Sequence, residues 1–172
     1  IFTNEAVRAD IPLPSVTLQT VGPTLQRYGT QEQKDFFLPK ILAGGVHFAI
    51  GYTEPDAGTD LASLTTRAVL DESTGEYVIN GQKVWISRIQ HSDLMILLAR
   101  TTPLDQVKKK SEGMSIFIVD LKDAIGKGLE VRPILNMVNH ETNELFFDNL
   151  EIPAENLIGE EGQGFKYILT GL

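Results

Sequence analysis

Apolar residues recur at helical spacing over the first 45 positions and at strand spacing over most of the remainder. In "PSVTLQTVGPTLQRYG", Val16, Leu18, Val21, Leu25 and Tyr28 fall near one stripe, with a break predicted at Gly22-Pro23. Pro14 suits a helix start and Gly29 a helix end. Thr30 and Gln33 have capping-box spacing and open a second helix. Phe36, Phe37, Ile41 and Leu42 are expected to pack on one side of it, and Gly44-Gly45 to end it.

From residue 46 the period shortens. "VHFAIGYT" (46–53) reads as a short strand. "SLTTRAVLDESTGEYVINGQKVWIS" (63–87) reads as three strands joined by turns at Ser73-Thr74-Gly75 and Asn80-Gly81, since Asn-Gly between β-prone runs is a strong hairpin signal. "DLMILLART" (93–101) and "MSIFIVDL" (114–121) are unbroken apolar runs, expected to be buried on both faces. "LEVRPIL" and "NELFFDNLEI" follow, with Pro133 pointing to an edge strand or a bulge. "EGQGFKYILTGL" is helical again. The expected fold is mainly β: an antiparallel β-barrel or sandwich flanked by helical segments. The divisions are residues 1–45, 46–158 and 159–172. Both ends look cut, as in a piece of a longer protein.

Composition narrows the function. The 172 residues carry a net charge of −8 and a pI near 4.8. That balance argues against non-specific nucleic-acid binding, which needs Lys and Arg to neutralise phosphates. The one basic run, Lys108-Lys109-Lys110, reads as a solvated loop. Without cysteine there is no disulfide and no thiolate metal site, and a reducing compartment is expected. No apolar run approaches the roughly 18 residues of a membrane span. His47, His91 and His140 share no metal-ligand spacing, so zinc is not expected. "GEEGQG" (159–164) lacks the Lys and Ser/Thr that complete a phosphate loop and reads as a loop entering a helix.

Two stretches carry candidate chemistry. In "AIGYTEPDAGTDLAS" (49–63), Thr53 and Thr59 supply hydroxyls around a Pro-Asp bend, and Gly58 lets a backbone approach a ligand closely. Exposed N–H groups there can hold an anion, or the stretch is simply an Asx-type turn. In "KVWIS" (83–87), Trp85 and Ser87 share a strand face opposite Ile86. An indole beside a hydroxyl makes a wall for a flat heteroaromatic ligand, or Trp85 fills the core.

Together, "YTEPDAGTD" and "INGQKVWIS" resemble the acyl-CoA dehydrogenase family. "YGTQEQKDFFLPKILAGG", "GMSIFIVDL" and "NELFFDNLEIPAENLIGEEGQGF" extend the resemblance along nearly the whole chain. It implies an FAD enzyme that oxidises an acyl-CoA to the trans-2-enoyl-CoA. A carboxylate takes the α-proton, and electrons pass to an electron-transfer flavoprotein. It implies a homotetramer when full length, in the bacterial cytoplasm or the mitochondrial matrix. The chain would hold the end of the N-terminal helical domain, the middle β domain and the start of the C-terminal one.

By that resemblance Ile50, Gly51, Tyr52, Thr53, Gly58 and Thr59 line FAD, with Thr53 bonding the flavin ring. Thr59, in place of the usual Ser, reaches the pyrophosphate and the acyl-CoA. Trp85 lies against the ring with Ile86, and Ser87 takes the Thr position near N5. The chain departs from the family at Arg88-Ile89, where Asn-Gly or Asn-Ala is usual. In "NMVNHET", Asn136, Val138 and His140 replace Gly, Arg and Ser. These changes bear on acyl specificity or domain contacts. Glu160 and Glu161 do not match the catalytic Glu, so no catalytic residue is named in this chain. An acyl-CoA oxidase or flavin monooxygenase of the same architecture, and a β domain that has lost its flavin, are the alternatives.

Overall fold

The computed structural model describes residues 2–11, 13–137 and 141–170. Helix α1 (Phe2–Arg8) is followed by a π-helical segment (Val16–Val21) that runs directly into α2 (Gly22–Tyr28). No break occurs at Gly22-Pro23. Pro23 lies in the first turn of α2, where a missing N–H costs nothing, and Gly22 N–H reaches back to the Thr17 carbonyl through the wider π turn. Both halves of the capping box form at the start of α3 (Gln31–Leu42): Gln33 N–H donates to Thr30 Oγ1 at 3.2 Å and Thr30 N–H to Gln33 Oε1 at 3.1 Å.

The face of α3 that packs is not the expected one. Ile41 is buried and Phe37 partly so, but Phe36 is exposed and Leu42 is 81% exposed. Adjacent positions on a helix diverge by about 100°, so Phe36 and Phe37 cannot share a face. The inward row is Gln33, Phe37 and Ile41. Gln33 satisfies its buried amide by donating to the carbonyls of Glu155 (2.9 Å) and Leu157 (3.0 Å).

Among the described residues, eight strands form one sheet: β1 (Phe48–Gly51), β2 (Arg67–Asp71), β3 (Glu76–Ser87), β4 (Leu94–Arg100), β5 (Met114–Asp120), β6 (Leu129–Ile134), β7 (Thr142–Pro153) and β8 (Leu157–Ile158). The short α4 (Leu121–Ala124) follows β5, and α5 (Gly164–Ile168) follows β8. The order is β6-β7-β3-β2-β4-β5-β8, with β1 also on β4. The expected antiparallel barrel is corrected on two counts. The sheet is mixed, because β1 and β2 both run parallel to β4, and it is open, with β6 and β8 at its ends. β4 meets β5 along its whole length on one side, so β1 and β2 share its other side. The β2–β3 hairpin lies in the long connection between β1 and β4 that parallel pairing requires.

Both expected double-sided strands are buried on both faces. Met95, Leu97 and Ala99 of β4 join Phe117 and Val119 in a core completed by Tyr77, Ile79, Leu145 and Leu150 of β3 and β7. Leu94, Ile96 and Leu98 join a second core against Val21, Leu25 and Ile41 of the helices, with Tyr167 and Ile168 of α5. β4 and β5 are therefore a middle layer between helices and the folded-over half of the sheet. Each fully buried Leu or Ile there contributes about 1.5–3 kcal/mol.

The turn at 73–75 forms, with Gly75 N–H donating to the Asp71 carbonyl at 2.8 Å. The turn at Asn80-Gly81 does not: β3 continues through it with a register shift against β7. Gly81 has φ +149°, and a Cβ there would lie 2.5 Å from Thr66 Oγ1. Glycine permits that crossing, and Asn80 exchanges hydrogen bonds with Asn149 instead of turning the chain. Pro133 lies in β6, an edge strand, as its missing N–H predicts. Lys108 and Lys109 sit in an exposed loop, while Lys110 pairs with Asp60 at 3.1 Å.

Candidate functional site

The chain leaves β1 at Gly51 and bends immediately. Glu54 and Ala57 exchange backbone hydrogen bonds across Pro55-Asp56, so the turn reading of this stretch is correct as far as it goes. The turn is tied to β3 from below. Val84 N–H donates to the Thr53 carbonyl at 2.9 Å, and Lys83 Nζ donates to the Tyr52 carbonyl at 2.9 Å and to Glu54 Oε1 at 2.9 Å. Glu54 also accepts from Thr65 N–H, Thr65 Oγ1 and Thr66 N–H.

Lys83 is 0% exposed and Glu54 4%. Burial pushes the Glu54 carboxyl up, but the Lys83 ammonium and the Thr66 and Thr65 hydrogen bonds outweigh it and hold the group at about 2. Burial draws Lys83 down to about 8, opposed by Glu54. Both groups are ionised at neutral pH. Removing one partner of such a pair costs about 3–5 kcal/mol, because the other charge is left buried alone. Sequence reasoning missed this pair. Its signal was a lysine on the inward phase of β3, in step with Tyr77 and Ile79.

Trp85 does not fill the core. It is 61% exposed, with φ +61°, in the irregular pairing between Lys83 and Ile86. The bulge turns the indole outward on the side of Ser87, while Ile86 is buried. A large aromatic held at positive φ and left exposed is a costly arrangement for stability alone.

A cavity of about 550 Å³ lies between the first residues of the π-helical segment, the end of β1 and the end of β3. It brings together Ile50, Tyr52, Thr53, Trp85, Ile86 and Ser87 from the sequence-predicted set. Gly51, Gly58 and Thr59 do not line it. Gly51 is buried in β1, where a Cβ would meet Met95 Sδ at 2.7 Å, so packing alone accounts for that glycine. Gly58 and Thr59 are exposed beyond the bend, and a Cβ on Gly58 would touch only the Thr53 methyl, at 3.8 Å. The cavity also gains Arg88 and His91, which sequence reasoning had not placed in a site.

The hydroxyl of Tyr52 is buried and has no hydrogen-bond partner among the described residues. Burial pushes its phenol well above the usual range. The cavity thus offers hydroxyls and an open indole face, a set suited to a flat polar ligand. It offers no carboxylate base. Glu161 accepts from Tyr77 Oη at 2.7 Å, and neither it nor Glu160 lines the cavity. Val138 and His140 lie outside the described residues. A second depression, about 360 Å³, contains none of the predicted residues. No group of three His, Asp or Glu among the described residues could hold a metal, and no helix among them is long and apolar enough to cross a membrane.

Residues 49–150 match the acyl-CoA dehydrogenase middle domain and residues 1–45 the acyl-CoA dehydrogenase N-terminal domain. The chain is 50% identical over 173 residues to acyl-CoA dehydrogenase FadE29 of Mycobacterium tuberculosis (strain ATCC 25618 / H37Rv), covering 100% of this chain and 43% of that protein. Among solved structures, the ChsE4–ChsE5 complex from Mycobacterium tuberculosis superimposes with a TM-score of 0.88 at 45% identity, over 98% of this chain and 42% of that one. The Tcur3481–Tcur3483 steroid ACAD superimposes with a TM-score of 0.87 at 45% identity, over 96% and 41%. The chain therefore spans under half the length of these relatives. With matches to both domain models along most of its length, the chain belongs to the acyl-CoA dehydrogenase family.

Proposed function

We propose that this chain is the FAD- and acyl-CoA-binding portion of a flavin-dependent acyl-CoA dehydrogenase. The observation that carries the reading is one cavity in which Thr53 from the first motif meets Trp85 and Ser87 from the second. Its chemistry fits a flavin. The exposed indole offers a face for a planar ring, and the Thr53 and Ser87 hydroxyls can donate to ring heteroatoms. Bound FAD would supply the hydride acceptor for oxidation of an acyl-CoA thioester at its α–β bond.

This chain's residues would bind and orient. Thr53 would hold the ring's polar edge, Trp85 its face, and Ser87 the N5 side, where a positioned donor stabilises charge that arrives with hydride. Ile50, Gly51, Tyr52 and Gly58 would contribute mainly backbone. Thr59, exposed beyond the bend, would reach the pyrophosphate and the acyl-CoA. Lys83 and Glu54 would fix the Tyr52 carbonyl and so the position of Thr53. The base would come from outside residues 1–172. Electron-transfer flavoprotein is the proposed acceptor, and assembly would be with further like or related chains. Similarity to a steroid ACAD favours a bulky, steroid-derived acyl group over a short chain.

The test is anaerobic titration of the full-length, flavin-loaded protein with a panel running from short straight-chain to steroid-derived acyl-CoA thioesters. Bleaching of the flavin band by the bulky thioesters is expected. A flavin band that no thioester bleaches would contradict the dehydrogenase reading, and rapid reoxidation by air would favour an oxidase.

A further inference from the structure

The cavity lining does not share the molecule's acidic balance. Carboxylates outnumber Lys and Arg by 23 to 15 in the chain, yet no Asp or Glu is among the described residues lining the cavity. Its titratable lining is His47, Tyr52, Arg88 and His91, and only Arg88 carries a permanent charge. Arg88 immediately follows Ser87 at the end of β3. Its side chain is 62% exposed, and Glu141 steadies it at 3.6 Å while pairing with His91 Nε2 at 3.1 Å.

Arg88 is held there against its backbone preference. Its φ of +63° and ψ of +26° are left-handed, a conformation that Asn or Gly takes with less strain. Four backbone and side-chain bonds fix it: Arg88 N–H donates to the Glu141 carbonyl at 2.9 Å, His91 N–H and Ser92 Oγ donate to the Arg88 carbonyl, and Ser92 N–H donates to the Ile89 carbonyl beside it. A residue ill-suited to its backbone, carrying the one fixed charge of a cavity wall, points to a ligand role for the side chain.

We infer that Arg88, braced by Glu141 and flanked by His91, is an anion-binding position of this cavity. This rests on the flavin reading above. The anion is the negative charge that a flavin ring gains on reduction, next to which a fixed cation favours the reduced form. A carboxylate on the acyl group would present the same chemistry and is separated from it by the test.

The test compares the full-length, FAD-loaded protein with its Arg88→Asn variant. Three readouts are taken: midpoint potential, sulfite affinity of the bound flavin, and the dissociation constants of adipoyl-CoA and hexanoyl-CoA. Asn relieves the left-handed backbone, so the variant should melt no lower than the parent. Its reduced-state preference should fall about tenfold, a drop of about 30 mV for a two-electron couple, with sulfite affinity falling in step. Arg88→Lys should restore most of both. Arg132→Gln, the same charge change at the exposed Glu130 pair, should move neither. An unchanged potential with a selective loss of adipoyl-CoA binding would assign the anion to the acyl group. An unchanged potential, sulfite affinity and ligand preference would overturn the inference. If FAD is still lost in Thr53→Ala and Trp85→Ala, the flavin reading survives that failure.

Discussion

Lys83 and Glu54 define the residue scale, because a buried ion pair fails asymmetrically. Lys83→Met should leave Glu54 buried without its cation and lower stability by about 3–5 kcal/mol in denaturant unfolding, whereas Lys83→Met with Glu54→Leu should recover much of the loss. The Glu54 carboxyl lies near 2 in the folded chain against 4.5 as its ordinary value. Its contribution is therefore fully present above pH 4.5 and is lost as pH falls through about 2. Acid unfolding followed by circular dichroism should show the midpoint moving with Glu54→Gln. Tyr52 poses the opposite case. Its buried hydroxyl has no partner among the described residues, so Tyr52→Phe should keep or raise the apo melting temperature.

At the scale of elements, β3 carries the site and also marks what the sequence hid. Its alternation predicted that Trp85 and Ser87 oppose Ile86; Trp85 and Ser87 are exposed and Ile86 is buried, while all three border the one cavity. The strong local Asn-Gly signal failed because a tertiary contact overrode it: Thr66 packs where a Gly81 side chain would be. Gly81→Ala should therefore cost stability, seen as a lower melting temperature, through both the close approach and the unusual φ. Whether Trp85 was core or wall was not legible, since the bulge that turns it outward depends on pairing with β7, far away in sequence. Lys83 was hidden for the same reason, as only the fold reveals that Glu54 reaches it. On α3 the capping box was legible because it is local; the buried face was misread because Phe36 and Leu42 were grouped with their chain neighbours Phe37 and Ile41, which point about 100° away, while the part Gln33 plays rests on partners more than a hundred positions on. The two unbroken runs of β4 and β5 were read correctly, since burial on both faces needs no partner to be recognised.

At the scale of the molecule, the mixed, open sheet places helices on one core and its own folded-over half on the other. The cavity opens at the seam where the π-helical segment meets β1 and β3. FAD bound there would link the helical and β parts, so saturating ligand should raise the melting temperature. At a hundredfold excess over the dissociation constant the gain is about 2.7 kcal/mol. The barrel expectation failed at this scale because strand patterning does not report whether β1 and β4 run parallel. The central claim, that this cavity holds the flavin, is tested most directly by the ratio of bound FAD to subunit in the purified full-length protein and its Trp85→Ala variant, from absorbance. A ratio near one that falls steeply in the variant is the predicted result; full flavin occupancy in both would contradict it.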